Sequence, residues 1–276
     1  MAYFSAEEVR DEEGRQYHIG LAPGEVASNI LLVGDPARAK RVAGLMEEVK
    51  IERSNREYLT FTGIWQGLEV SVMATGMGCD NMEIAIIELS QVVENPVFIR
   101  AGSCGGLQEN MNLGELVIST GAVRMEDVST YFVPSGYPAL AHHEVILALI
   151  QATKDLGYHP FHVGLTATGA SFYGAQGRTA AGWKPLNPGV TEVLQSIGVK
   201  NFEMESSTLF TLATLRGYRA GTICAIYANR PKNEFISPEL KSKAELHCIE
   251  TALKAFQILE KMDSQRKDFP YWLPFG

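Results

Sequence analysis

The sequence predicts an α/β protein of three layers, with a largely parallel or mixed central sheet flanked by helices on both faces. Three observations predict it. Short β-rich apolar runs recur and end in glycine turns. Helical apolar spacing follows several of those turns. The 276 residues are 46% hydrophobic and 20% charged, which supplies apolar material for a substantial core. Strands covered on both faces read as continuous apolar runs, so runs interleaved with helices point to a sheet between helical layers.

Ile30 to Val33 is the first run, broken by Gly34, Asp35 and Pro36. Val42, Leu45, Met46 and Val49 then fall at helical spacing and predict a helix over 37–49. Val70 to Ala74 passes through Thr75, Gly76, Met77 and Gly78 into a helical pattern over about 80–93. Pro96 to Ile99 reads as a strand ending at Arg100, where Ala101-Gly102-Ser103-Cys104-Gly105-Gly106 follows. Further strands are expected over 116–123, 162–168 and 221–228, and helices over 143–156, 204–216 and 238–262. Such sheets place ligands at the carboxyl ends of their strands, beside the glycine turns.

No linker or repeat divides the chain, so residues 1–276 read as a single domain with an extension at 1–16 and an aromatic tail at 263–276. That tail, with Phe269, Tyr271, Trp272 and Phe275, reads as docked on the domain or on a neighbouring subunit. With 24 basic and 32 acidic residues the formal charge is −8, which disfavours nucleic acid and anionic membrane surfaces as partners. The start of the chain lacks a signal-peptide pattern and no apolar run is long enough to span a bilayer. Cys79, Cys104, Cys224 and Cys248 are widely spaced, as expected of reduced thiols, and the expected address is the cytoplasm.

Several motifs bear chemistry. Gly34-Asp35-Pro36-Ala37-Arg38 sits where a strand meets a helix, an anion site in outline or else a tight turn beside a solvated arginine. Arg100 after an apolar strand needs an anionic partner, either a ligand or an internal carboxylate. Ser103 adds a hydroxyl and the adjacent glycines add accessible N–H groups. Phe172, Gln176 and Arg178 combine a ring with amide and guanidinium donors, suited to a planar base or to a plain aromatic turn. Glu203 and Glu205 flank Met204, so they either bind vicinal hydroxyls or complement a helix start. Thr75 to Gly78 lacks the third glycine of a dinucleotide fingerprint, since position 81 is Asn81. The histidines have no metal-ligand spacing, and no nucleophile elbow is present.

Taken in order, these segments resemble the nucleoside phosphorylase family. The resemblance runs from about Tyr17 to Leu259 and is carried by Tyr17 to Leu21, Leu32 to Arg38, Arg56 to Tyr58, Ala74 to Gly78, Arg100 to Gly105, Phe172 to Arg178, Phe202 to Ser206 and Ala228 to Arg230. It implies inorganic phosphate as co-substrate, no organic cofactor, and phosphate held by Gly34, Arg38, Arg100 and Ser103 with Arg56 from a neighbouring subunit. Ribose would lie on Met204 and Glu205, with His18 also from the neighbour. The base would meet Phe172, Gln176 and Arg178, with Glu203 and Arg230 nearby. Arg178, Gln176 and Arg100 would carry the rate.

The same resemblance implies a homodimer as the smallest complete unit, with hexamers of such dimers common among members, and K+ near Glu57, Met77 and Asn81. Purine-cleaving members place an Asp near the base, where this chain has Ala228-Asn229-Arg230, so uridine is the expected nucleoside. Nucleosidases on the same scaffold lack the arginine set. A non-catalytic nucleoside-binding protein has no need of a phosphate cage. The chain departs from the family at Ser103-Cys104, at residues 182–188 and in the tail beyond Met262.

Overall fold

A computed structural model of the chain describes residues 6–266 and 269–274. Part of the expected extension, 1–5, and positions 267–268 and 275–276 of the tail lie outside the described residues. In chain order the elements are β1 (Asn29–Val33), α1 (Pro36–Ala43), β2 (Glu48–Asn55), β3 (Tyr58–Trp65), β4 (Leu68–Ala74), α2 (Cys79–Leu89) and β5 (Val97–Gly106). There follow β6 (Leu116–Met125), β7 (Ala139–Leu140), α3 (His143–Asp155), β8 (Phe161–Gly169), α4 (Val190–Ser196) and β9 (Asn201–Glu203). The order closes with α5 (Ser206–Arg216), β10 (Arg219–Asn229), β11 (Glu234–Phe235) and α6 (Pro238–Gln265).

Among the described residues the strands form one mixed 11-stranded sheet. Successive side chains of a strand point to opposite faces, and β1 divides accordingly. Leu31 and Val33 pack with α1, α3 and α6, while Ile30 and Leu32 pack with α2 and α5. That division makes the three layers. Within the sheet, β5 pairs β10, β10 pairs β6, β6 pairs β8, β8 pairs β9 and β9 returns to β5, a closed ring of five strands.

Helix ends follow local chemistry. The Asp35 carboxylate accepts the Ala37 N–H at 2.8 Å and Pro36 fills the first turn of α1, where its missing N–H costs nothing. Ser237 caps α6 through the Leu240 N–H at 3.3 Å, again followed by a proline.

Two expectations need correction. The helix expected over 37–49 stops at Ala43: the N–H of Gly44 returns to Lys40 and Val42, and Glu48 already begins β2. The apolar spacing that suggested a longer helix belongs to a turn whose Met46 packs onto the core. The strand expected to end near Ile99 runs on to Gly106, so Arg100 stands mid-strand and the glycine-rich motif is extended backbone. Strands β2 and β3 and helix α4 have no counterpart among the expected elements.

One interruption of the sheet positions the site. β1 accompanies β5 only as far as the Leu32–Arg100 pair, and β9 joins β5 from Gly105 onward. Between them, among the described residues, the β5 edge from Ala101 to Cys104 has no neighbouring strand on that side. Backbone groups there are available to side chains and ligands.

The aromatic tail lies on its own chain. The Trp272 N–H donates to Glu144 Oε1 at 3.0 Å, and the guanidinium of Arg266 pairs with the same fully buried carboxylate. All four cysteines are free and buried. Among the described residues no helix is long and apolar enough to cross a membrane.

Candidate active site

A cleft of about 580 Å3 opens at the gap beside β5. Gly34, Arg38, Met77, Arg100, Ser103, Phe172, Gln176, Arg178, Glu203, Met204 and Glu205 all line it, residues that span the chain from the first strand to α5. β5 acts as its ruler. At one end Arg38 Nη1 donates to Ala101 O at 2.9 Å. At the other, Gly105 lies against Arg178 and Arg230. Four residues of extended chain separate these ends by about 13 Å.

Arg38 is nearly buried on α1, and Glu245 of α6 faces its Nε at 3.1 Å while the Tyr227 hydroxyl lies 3.5 Å from its Nη2. Burial works against the charge on Arg38, but Tyr227 and Glu245 outweigh it and hold the guanidinium protonated. Gly34, at the end of β1, packs its Cα toward the Gly76 turn, where an added Cβ would stand 3.2 Å from Gly76 O.

Arg100 folds back over its own strand. A Cβ on Gly102 would sit 2.0 Å from Arg100 Nη1, so only glycine leaves room for that path. Its Nη2 donates to Glu205 Oε2, its Nη1 to Cys224 Sγ at 3.2 Å, and Glu203 Oε2 is 3.5 Å away. Burial opposes the Arg100 charge, yet Glu205, Cys224 and Glu203 together keep it firmly protonated. The internal carboxylate bridge that the sequence left open is therefore present, and it is made by a residue of the cleft itself.

Glu205 also accepts the Gly78 N–H at 2.7 Å, which ties the start of α2 to the start of α5. Glu203 reaches the cleft wall, but its oxygens are already engaged. Oε2 accepts the N–H groups of Glu205 and Ser206 at 2.9 Å each, and Oε1 accepts the Thr168 hydroxyl. Burial, opposed by Arg100 and aided by Glu205, raises the Glu203 pKa. It caps the start of α5 while lining the cleft, which is the helix-start alternative that the sequence left open.

At the far end the Arg178 guanidinium lies 4.1 Å over the Phe172 ring and contacts Gln176 Oε1 at 3.4 Å. Arg230 donates to Gln176 O at 3.1 Å from behind. Burial, then the charge of Arg230, lowers the Arg178 pKa. Arg178 Nε and Arg230 Nη1 are buried and have no hydrogen-bond partner among the described residues. Asn229, next in the chain, is turned away: its amide donates to Met111 O at 2.8 Å and accepts the Lys232 N–H at 2.9 Å.

Of the expected site residues, Arg230 stands behind Gln176 rather than on the cleft lining, and His18 and Arg56 lie away from the cleft of their own chain. His18 Nδ1 meets Glu88 Oε1 at 2.6 Å, and Arg56, at φ 51° on the β2–β3 turn, stacks 4.6 Å over the Tyr17 ring. Asn55 donates to the carbonyls of Tyr17 and His18 at 2.9 and 2.8 Å, so His18 and Arg56 share one surface. Glu57 and Asn81 converge on Gly76, where an added Cβ would be 3.9 Å from Glu57 Cγ and 2.6 Å from Asn81 Nδ2.

Sequence reasoning missed Tyr227, Phe235, Lys241 and Glu245. The first three line the cleft, and Glu245 holds Arg38. Tyr227 stands directly before the Ala228-Asn229-Arg230 segment, which was the one available signal.

Comparison with known proteins decides the family. The family model of the phosphorylase superfamily matches residues 29–261. The chain belongs to the phosphorylase superfamily. Within that superfamily it is 42% identical to a uridine phosphorylase of Thermococcus kodakarensis over 96% of this chain and 94% of the relative. It is 34% identical to a uridine phosphorylase of Escherichia coli, over 87% and 96% respectively. A guanosine phosphorylase of Halorubrum lacusprofundi is 32% identical over 78% of this chain and 84% of its own. The superfamily match covers every cleft residue named above, from Gly34 just after β1 to Lys241 on α6, and Glu245 beyond it.

Proposed function

We propose that the chain is a uridine phosphorylase, a pentosyltransferase that converts uridine and phosphate reversibly to uracil and ribose 1-phosphate. The observation that carries this reading is the base end of the cleft. Arg178, over the Phe172 ring and beside Gln176, and Arg230, behind Gln176, each carry a buried N–H without an acceptor among the described residues. A uracil ring offers two carbonyl oxygens and a ring nitrogen that suit such a donor-rich, flat-walled site.

The remaining roles follow from position. Phosphate would be held by Arg38, Arg100, Ser103 and the Gly34 turn, and ribose by Met204 and Glu205. Cleavage of the glycosidic bond builds positive charge on the sugar and negative charge on the departing base. Phosphate beneath C1′ supplies the attacking oxygen, and Arg178 with Gln176 stabilises the uracil anion. Proximity and preorganised charge carry the rate without a covalent enzyme intermediate.

A purine nucleoside is the second reading, favoured by the guanosine phosphorylase relative. Against it, no carboxylate stands at the 228–230 segment, and the Asn229 amide is occupied by backbone.

His18 and Arg56 lie together on a surface away from their own cleft, as side chains given to a neighbour's site would. The reading is a homodimer as the minimal active unit, which a hexamer would repeat. Glu57 and Asn81 bring a carboxylate and an amide to one point beside Met77, donors that suit K+ at such an interface, with no part in the chemistry. Four free thiols accord with a cytoplasmic setting. All 276 residues then serve as one domain.

The test is purified protein with uridine, thymidine, inosine and guanosine, with and without phosphate, followed by free base and ribose 1-phosphate. Phosphate-dependent uracil release supports the reading. Release confined to purines overturns the base assignment, and release without phosphate overturns phosphorolysis.

A further inference from the structure

The cleft holds one cation that the family assignment leaves unused. Arg38 is paired with Glu245, and Arg100 with Glu205 and Glu203. Lys241 lines the same cleft near the start of α6, beside Tyr227 and Phe235. Its ammonium lies 5.6 Å from the centre of the Tyr227 ring, and the hydroxyl of that ring is 3.5 Å from Arg38 Nη2. Among the described residues Lys241 forms no ion pair: Glu203 and Glu205 face Arg100, Glu245 faces Arg38 and Arg41, and the Asp35 carboxylate caps α1.

The placement runs against local preference. A cation in the opening turns of a helix faces the positive end of the macrodipole, where an acidic residue is favoured. Local rules are broken where function requires it. Lys241 is exposed while Arg38 and Arg100 are buried, so a solute entering from water meets Lys241 first. The whole chain carries a formal charge of −8, which repels a dianion approaching at random.

We propose that Lys241 is a phosphate-capture residue, which attracts inorganic phosphate at the mouth of the cleft and passes it inward to Arg38 and Arg100. This rests on the phosphorolysis reading. Tyr227 forms the floor beneath the path: its ring supports the ammonium and its hydroxyl touches the buried guanidinium. Lys241 touches the substrate on entry and takes no part in bond cleavage.

The experiment is steady-state kinetics of wild type, Lys241→Met and Lys241→Arg with uridine and phosphate varied independently at low and high ionic strength. Lys241→Met is expected to raise the KM for phosphate roughly three- to tenfold, the range of an exposed to partly desolvated charged contact. kcat and the KM for uridine should stay within about twofold. Added salt should raise the phosphate KM of the wild type more steeply than that of Lys241→Met, and Lys241→Arg should retain wild-type behaviour. An unchanged phosphate KM in Lys241→Met, or an equal rise in the uridine KM, overturns the role of Lys241 alone. Base release by the wild type without phosphate overturns the underlying reading as well, and is told apart by needing no variant.

Discussion

Arg100 and Glu205 hold each other across the floor of the cleft, the guanidinium Nη2 donating to the carboxylate Oε2, and both side chains line the space that substrates fill. On the proposed roles each group occupies the other's substrate position: Glu205 would stand in for phosphate at Arg100, and Arg100 for ribose at Glu205. An anion that takes the arginine frees the carboxylate. Binding of the two substrates should therefore be mutually reinforcing.

Uridine is expected to bind roughly five- to tenfold more tightly when sulfate, an unreactive tetrahedral dianion, saturates the phosphate end, about 1 kcal/mol of coupling. Titration calorimetry with and without sulfate measures it. Glu205→Gln should weaken uridine binding and abolish the coupling. A uridine Kd indifferent to sulfate would mean that the bridge persists with substrate bound.

Gly102 exists in its present form to let Arg100 fold back, since a Cβ there would stand 2.0 Å from the guanidinium. Gly102→Ala should displace Arg100 and raise the phosphate KM by roughly tenfold or more, with the fold retained because the conflict is with a side chain. Equal KM values for phosphate in variant and wild type would show that Arg100 reaches its ligand by another path.

Arg56 and Arg178 belong, on the dimer reading, to different halves of each site. Arg56→Ala and Arg178→Ala should each lower kcat/KM about a hundredfold. Mixed and refolded together, they should recover up to about a quarter of wild-type activity, because one site in a mixed dimer carries neither lesion. A mixture no more active than its components places Arg56 outside the site.

Glu25 reports on acid stability away from the cleft. Burial raises its pKa, but Arg15, the Ala22 N–H and Arg53 prevail and bring it from the ordinary 4.5 to about 2. A depressed carboxylate contributes stability that is complete above its unfolded value and fades as pH falls through its folded one. Glu25→Gln should thus lower Tm at neutral pH, with the gap to wild type narrowing between about pH 4.5 and pH 2. A gap independent of pH would assign the loss to packing instead of charge.

Glu144 is fully buried on α3 and is matched by Arg266, by the Trp272 N–H and, at 3.4 Å, by Arg219. Glu144→Ala leaves two guanidiniums without that partner and should cost about 3 kcal/mol. Truncation after Gln265 removes Arg266 and Trp272 together and should cost about 2 kcal/mol or more, read by urea unfolding, with little change in kcat.

Elements that depend on backbone requirements were the easiest to find in the sequence. Gly34 and Pro36 mark the β1–α1 junction, and the Arg100 to Gly106 motif marks a wall of the cleft, though as strand rather than turn. β2 was silent because it carries charge on its exposed face and only partly covers the other, so no apolar alternation marks it. The site residues that could be named were those inside compact motifs. Glu245 reaches Arg38 from 207 positions away, a distance over which no spacing rule operates. Glu203 stayed open between ligand and helix cap in the sequence, because a carboxylate beside a helix start serves equally well as either, and its three donors show the capping contacts.

The clasp at Glu144 has a meaning for synthesis. The chain lays down this carboxylate about halfway along its length, and two of its three partners, Arg266 and Trp272, are made more than a hundred residues later. Until then Arg219 is the cation among the described residues that faces this carboxylate, so burying α3 fully in the growing polypeptide is costly. Residues 266 and 272 thus close a contact opened at position 144, and a nascent chain short of them carries that carboxylate without the partners that match it in the finished fold.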